Sequence, residues 1–341
     1  MLYFESDYTE GACPEILNNL VKSNLESLSG YGNDKYCLSA EKKIKLALKS
    51  EEVSVRFLVG GTQTNQVVID SVLNDYEGVV AVKSGHISIH EAGAIEFTGH
   101  KVIALDGKDG KLDSDVLNGY ISDFYSDLNN EHMVHPGMVY ISQPTEYGTI
   151  YSKAELENIY SVCKKFDIPL YIDGARLGYA LVCDESDLEL SDLVELCDIF
   201  YIGGTKVGAL CGEAVVFTHN NEPKHFTTII KQHGALLAKG RLLGIQFDTL
   251  FTNDLYFRLS RNAIDTADRL KKAFSEKGYK FYIDSPTNQI FIVLENSKMD
   301  ELSKKVSFSF WEKFDESHTV VRFATSWSTT LKSVEELIKL L

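Results

Sequence analysis

The sequence predicts an α/β protein with a mainly parallel central sheet flanked by helices, followed by a smaller α+β domain. Two observations carry that expectation. From about residue 53, short β-branched runs alternate with helical stretches, the pattern of βαβ units in a sheet covered on both faces. After a long helical pattern that opens at Asp254, strands and helices mix, as in an α+β unit. The expected organisation is an N-terminal segment over residues 1–40, a large domain over 41–244 and a small domain over 245–341.

Along the chain, PEILNNLVKSNLESL (residues 14–28) reads as a helix, with Pro14 suited to its first turn. GYGNDKY (30–36) is a loop, and SAEKKIKLALKS a helix with Ser39 as N-cap. VSVRFLV (53–59) is a strand, and GGTQTNQVVIDSVL a loop opening a helix. GVVAVK (78–83) and KVIALD (101–106) are extended, with EAGAIEFTG helical between them. GMVYISQP (137–144) is a strand, followed by a helix capped by Ser152. IPLYIDGA (168–175), CDIFYIGG (197–204) and GEAVVFT complete the large sheet. No internal repeat or low-complexity linker interrupts this order.

The 341 residues are 44% hydrophobic and 24% charged, enough for a core of ordinary size. A net charge of −15 argues against nucleic acid and against an anionic membrane surface. The start, MLYFESDYTEG, lacks the basic and apolar regions of a signal peptide, and no apolar run approaches a bilayer span. The six cysteines include no CxxC pair and read as reduced thiols. A cytoplasmic protein is expected.

Four strand ends carry unusual groups. Gly60 to Asn65 joins a strand to a helix, where free N–H groups and the helix dipole favour a phosphate. A plain glycine turn capped by Thr62 explains it equally. Asp173 ends an apolar strand, with Arg176 three residues on. It is either one half of a structural ion pair or a carboxylate kept ionised for a cationic ring nitrogen. Lys206 follows Gly203 and Gly204, whose small size leaves room for a flat ring. An amine desolvated there is a nucleophile towards carbonyls; a surface lysine is the plain alternative. His86 and His90 are four apart, but HEXXH is absent and no metal is expected. An imidazole that stacks on a ring or moves a proton suits them better. Together these are the parts a protein supplies to pyridoxal phosphate. A nicotinamide site is the fold-level competitor, but GGTQTN lacks that fingerprint's spacing.

The order GGTQTN, GHISIHEAGA, YIDGARLGYA, GGTKVGA resembles the pyridoxal-phosphate-dependent L-threonine aldolases, most closely their low-specificity branch. FESDYTEGACPEIL, GYGNDKY, IIKQHGALLAKGRLLGIQF and VVRFATSW extend the likeness over nearly the whole chain. The resemblance implies the aspartate-aminotransferase-like fold (fold type I), within the wider β-eliminating lyases. It also implies cleavage of L-threonine, L-allo-threonine or a similar β-hydroxy amino acid to glycine and an aldehyde. A related lyase or racemase is the alternative.

By the same resemblance Lys206 would hold the cofactor as an imine, and Asp173 would keep the pyridine nitrogen protonated. Gly61, Thr62 and Gln63 would hold the phosphate, and His86 would stack on the ring. Ser6, Arg176 and Arg322 would bind the substrate carboxylate, Arg176 lying near the cofactor as well. Lys231 and Lys239 or Arg241 would reach a neighbouring subunit's phosphate, which implies a homodimer or homotetramer with shared sites. The chain departs from the family pattern at Cys13, where GACP stands for GAHP, and at Thr145-Glu146, where another branch has a histidine. The base for the β-hydroxyl is left among His86, Glu146 and a bound water.

Overall fold

The computed structural model describes all 341 residues. The chain opens on strand β1 (Leu2–Tyr3), then helix α1 (Pro14–Ser23), with Pro14 in its first turn. Helix α2 (Lys35–Ala47) begins before Ser39, which therefore is not its cap. Asp34 takes that role, its side chain accepting from the amides of Tyr36 and Cys37, both at 3.0 Å. A buried carboxylate satisfying two first-turn N–H groups outcompetes a serine inside the helix.

The large sheet follows. Strand β2 (Ser54–Leu58) leads to α3 (Gly61–Val72), and β3 (Glu77–Val82) to the short α4 (His86–Ile89) and α5 (Ala94–Phe97). Strand β4 (Lys101–Leu105) precedes α6 (Ser114–Ser126), and β5 (His135–Ser142) precedes α7 (Lys153–Lys165). Ser152 caps α7 in a reciprocal box with Glu155. Strand β6 (Leu170–Asp173), helices α8 (Leu177–Val182) and α9 (Leu193–Leu196), then β7 (Ile199–Gly203) and β8 (Glu213–Phe217) complete it.

The seven strands lie in the order β2-β8-β7-β6-β5-β3-β4. All are parallel except β8, which runs antiparallel to both neighbours. The β7–β8 connection, residues 204–212, is too short for a crossover, so the chain can only turn back. From β3 the chain steps outward to β4, then returns across β3 to β5. That reversal opens a crevice at the carboxyl ends of β3 and β5.

Both faces of this sheet are covered. Strands β6 and β7 are buried at every residue. Ile172, Phe200 and Ile202 enter one cluster with Val139 and Ile141; Tyr171, Tyr201, Tyr140 and Met138 enter the other. The period of two thus puts three tyrosines on the face that carries α3, with consequences for the site.

Helices α10 (Phe226–Gln232) and α11 (Arg241–Leu250) lead to the long α12 (Leu255–Glu276). Strands β9 (Lys280–Phe281) and β10 (Gln289–Glu295), helix α13 (Asn296–Ser303), strands β11 (Val306–Ser307), β12 (Ser309–Lys313) and β13 (His318–Ala324), and helix α14 (Leu331–Ile338) follow. A four-stranded antiparallel sheet, β12-β13-β10-β9, packs on α12 and α14. Tyr256, Ala263 and Ile264 of α12 lie in the large core, and Ala267, Leu270 and Phe274 in the small one. The two cores therefore hand over inside α12, beyond residue 245. Strand β1 pairs with β11, and Phe4 joins the small core, so residues 5–8 run along the seam between the domains. No helix is long and apolar enough to cross a membrane.

Candidate active site

The carboxyl ends of β3, β5, β6 and β7 meet the seam at a cleft of about 470 Å³. His86, Glu146, Arg176 and Lys206 line it from the large domain; Gln289, Trp311 and Arg322 line it from the small one, and Tyr8 from the N-terminal segment.

Asp173 is buried at the end of β6 and receives four donors. Tyr201 Oη (2.6 Å) and the Ala175 amide (3.0 Å) reach Oδ1; Tyr140 Oη (2.6 Å) and Asn65 Nδ2 (3.0 Å) reach Oδ2. Burial pushes its carboxyl up, but nearby His86 and these donors outweigh it, and the group ends below the usual carboxylate range. The tyrosines come from the α3-facing side of β5 and β7. An aspartate held anionic without a counter-charge bonded to it suits a ring N–H⁺.

Lys206 follows β7. Tyr179 Oη donates to its carbonyl at 2.5 Å, fixing the backbone from which the amine rises. Burial and the Arg176 charge hold the amine below the ordinary lysine range, against Asp7, Asp173 and Glu213. Glu213, the first residue of β8, accepts from the Gly204 amide (3.0 Å) and Thr205 Oγ1 (2.8 Å) and is pushed up by burial. The expectation that Gly203 and Gly204 make room for a ring is corrected. A Cβ at Gly203 would sit 2.3 Å from the Ala175 carbonyl oxygen, and one at Gly204 2.7 Å from that of Gly212. Their small size lets neighbouring backbone approach, so the turn after Asp173 packs on the end of β7.

Two guanidinium groups face the cleft. Arg176 is clamped by buried Asp7, whose carboxyl is desolvated but lowered to about 2 by Arg176, Lys206 and the bonds from Arg176 and Asn288. Arg322 Nη1 donates to Gln289 Oε1 at 3.1 Å, and Nη2 to the Glu5 carbonyl at 3.0 Å. Burial and Arg176 depress it to about 10. Its Nε and Ser6 Oγ are buried without a partner. Two crowded cations and unpartnered buried donors suit a carboxylate.

His86 opens α4 with its side chain 32% exposed, and its Nδ1 lies 2.9 Å from Glu91 Oε1. Asn65 Nδ2 bridges that oxygen (2.8 Å) and Asp173, while Tyr171 Oη holds Asn65 Oδ1 at 2.8 Å. The stacking candidate and the ring-nitrogen acid thus belong to one network. Cys13 is fully buried, its amide bonded to the Gly208 carbonyl, and lies outside the cleft lining. Glu146 is in the lining.

Gly61, Thr62 and Gln63 form the first turn of α3, where no side chain caps the free amides, so the turn can receive an anion. Gln63 Oε1 accepts from the Val59 amide at 3.2 Å, which leaves the Gln63 backbone N–H and its Nε2 as donors. Ser6, Gly61, Thr62, Gln63, Lys231, Lys239 and Arg241 do not line this cleft. Lys231 and Lys239 are exposed, and Arg241 spends its fork on the carbonyls of Glu26 (2.6 Å) and Ser23 (2.5 Å).

Sequence reasoning missed Asp7, Asn65, Glu91, Tyr140, Tyr201 and Glu213. Glu91 had a signal, being a carboxylate beside His90 in the motif itself. The tyrosines were legible only as apolar strand residues.

The chain matches the beta-eliminating lyase family over residues 4–297. It is 28% identical to the low specificity L-threonine aldolase of Pseudomonas aeruginosa, over 98% of this chain and 96% of that one. Among solved structures, a Leishmania major threonine aldolase superposes with a TM-score of 0.96 at 39% identity, over 100% of this chain and 98% of its own. A Thermus thermophilus aspartate aminotransferase shares the fold, with a TM-score of 0.71 at 13% identity over 100% of this chain and 90% of that one.

Proposed function

The chain belongs to the beta-eliminating lyase family, and from that premise we propose that it is a pyridoxal-phosphate-dependent threonine aldolase. It cleaves L-threonine, L-allo-threonine or a similar β-hydroxy-α-amino acid to glycine and an aldehyde. The observation that carries this reading is the pairing of two strand ends. Asp173 is held anionic by four donors, and beside it Lys206 presents a depressed amine opposite Arg176 and Arg322.

The residues fit the cofactor: a carboxylate for a ring N–H⁺, an amine for its carbonyl, an uncapped helix turn for its phosphate and His86 for its face. Bound there, pyridoxal phosphate supplies an electron sink for the pair released when the Cα–Cβ bond breaks. The protein does the rest. Lys206 would hold the cofactor through its lowered amine, the place the substrate amine competes for. Asp173 keeps the ring proton in place, which deepens the sink. Arg176, Arg322 and Ser6 would fix the carboxylate and so orient the substrate. A base accepts the β-hydroxyl proton as the aldehyde carbonyl forms.

The working unit in this reading is a homodimer or a pair of dimers in the cytoplasm. Lys231 and Lys239 are exposed, as a role across a subunit boundary requires. The test is product analysis. Purified protein loaded with pyridoxal phosphate should release equal amounts of glycine and acetaldehyde from L-threonine or L-allo-threonine. Absence of both products from both substrates sinks the proposal.

A further inference from the structure

The Glu146 carboxyl group has a chemical role that the proposed reading leaves open. It sits just past β5, in the crevice where the strand order reverses, and lines the cleft with Lys206, His86 and Arg176. Its Oε1 accepts from Ser142 Oγ at 2.7 Å. Its Oε2 is buried and has no partner at all. An orphaned buried carboxyl oxygen is costly, and the residue that carries it lines the substrate cleft.

We propose that Glu146 is the general base that takes the proton from the substrate β-hydroxyl. The step balances. The O–H bond breaks and its proton goes to Oε2. The oxygen pair forms the aldehyde C=O, and the Cα–Cβ pair moves to Cα and into the cofactor. The same proton returns from Oε2 when the chain runs the reaction in reverse. His86, with its Nδ1 bonded to Glu91, is given the face of the cofactor in the proposed reading. Burial pushes the Glu146 carboxyl up and Asp173 adds to this, against the Ser142 hydroxyl and His86. A carboxylate raised towards working pH is the stronger acceptor.

The proposal rests on the aldolase reading, so the experiment carries both. Wild-type holoenzyme and Glu146→Gln are compared for threonine cleavage and, in heavy water, for exchange of the glycine α-proton, which involves no β-hydroxyl. The glutamine keeps the size and the Ser142 contact. Cleavage should fall roughly 10²–10⁴-fold, while exchange stays within about threefold of wild type, the span we allow for an intact cofactor site. In the cofactor-free protein, one component of the protonated-carboxyl infrared bands should titrate in wild type and be missing from Glu146→Gln, while that of Glu213, also pushed up by burial, remains. Formate should restore part of the cleavage rate of Glu146→Ala. Cleavage retained in Glu146→Gln overturns the assignment, and so does an equal loss of cleavage and exchange, the mark of a structural role. A wild-type holoenzyme that exchanges glycine but cleaves no threonine defeats the aldolase reading instead.

Discussion

Asp7 and Arg176 meet fork to fork across 169 residues of chain: Arg176 Nε donates to Oδ2 at 2.6 Å, and Nη2 to Oδ1 at 3.0 Å. Asn288 Nδ2 closes the pair at 2.9 Å. Two of the three guanidinium nitrogens are therefore committed, and Nη1 remains for the cleft. The pair also ties the N-terminal segment to the large domain and, through Asn288, to the small one. One carboxylate so joins three parts of the chain around the substrate site.

Asp7→Asn removes the charge and keeps the shape. The folded pKa of Asp7 is about 2 against 3.8 unperturbed. A depressed folded value stabilises above the unfolded pKa and loses that contribution as pH falls through the folded one. The shift corresponds to about 2 kcal/mol. Urea unfolding of wild type and Asp7→Asn should differ by roughly that amount at neutral pH. The gap should close as pH drops below about 4. A gap independent of pH would sink the idea.

Arg322 tests the carboxylate site from the other domain. Its guanidinium lies 5.6 Å from the Trp311 ring centroid and carries an unpartnered Nε. Arg322→Lys loses the planar fork and keeps the charge. KM for L-threonine should rise roughly 10–100-fold, the worth of a charged hydrogen bond or two. The visible spectrum of the bound cofactor should stay as in wild type. An unchanged KM removes Arg322 from substrate binding.

Much of this was written locally in the chain. Ser152 and Glu155 announce α7 three residues apart, and the alternation of β-branched runs announces the parallel sheet. What the sequence left out is what distance supplies. Asp7 acquires meaning only from Arg176, and Tyr140 and Tyr201 only from the pleat that aims both hydroxyls at Asp173. Helix α6 went unread because its polar and small residues blur the apolar stripe. Ser39 misled because Asp34, a stronger cap, lies just upstream and makes two bonds. The strand order, with β8 reversed, follows from pairing rather than from any single segment.

Lys206 should be the residue that borohydride fixes to the cofactor. Mass spectrometry of the reduced protein should find the pyridoxyl group there and nowhere else. Burial and Arg176 lower the amine, so its neutral form appears at lower pH than for a free lysine near 10.4. Capture of pyridoxal phosphate by the cofactor-free protein should therefore accelerate with a midpoint well below that value. A midpoint at the free-lysine pKa would mean that the amine is not desolvated.

The amide nitrogen of Asn65 bridges Glu91 and Asp173. Two buried carboxylates this close repel, and the shared donor is what makes their proximity tolerable. Asn65→Ala strips a donor from each and leaves Tyr171 Oη without its acceptor. Stability should fall by roughly 1–3 kcal/mol for the groups left unpaired. The Asp173 carboxyl should rise, because one of the bonds holding it ionised is gone. Tyr171→Phe removes only the strut behind Asn65 and should cost less. If the side chain matters to the cofactor, Asn65→Ala should also shift its absorption band at fixed pH, while Tyr171→Phe should shift it little. Equal stability losses with unshifted spectra in both variants would mean that Asn65 merely fills space, and that Asp173 is held by Tyr140, Tyr201 and the Ala175 amide alone.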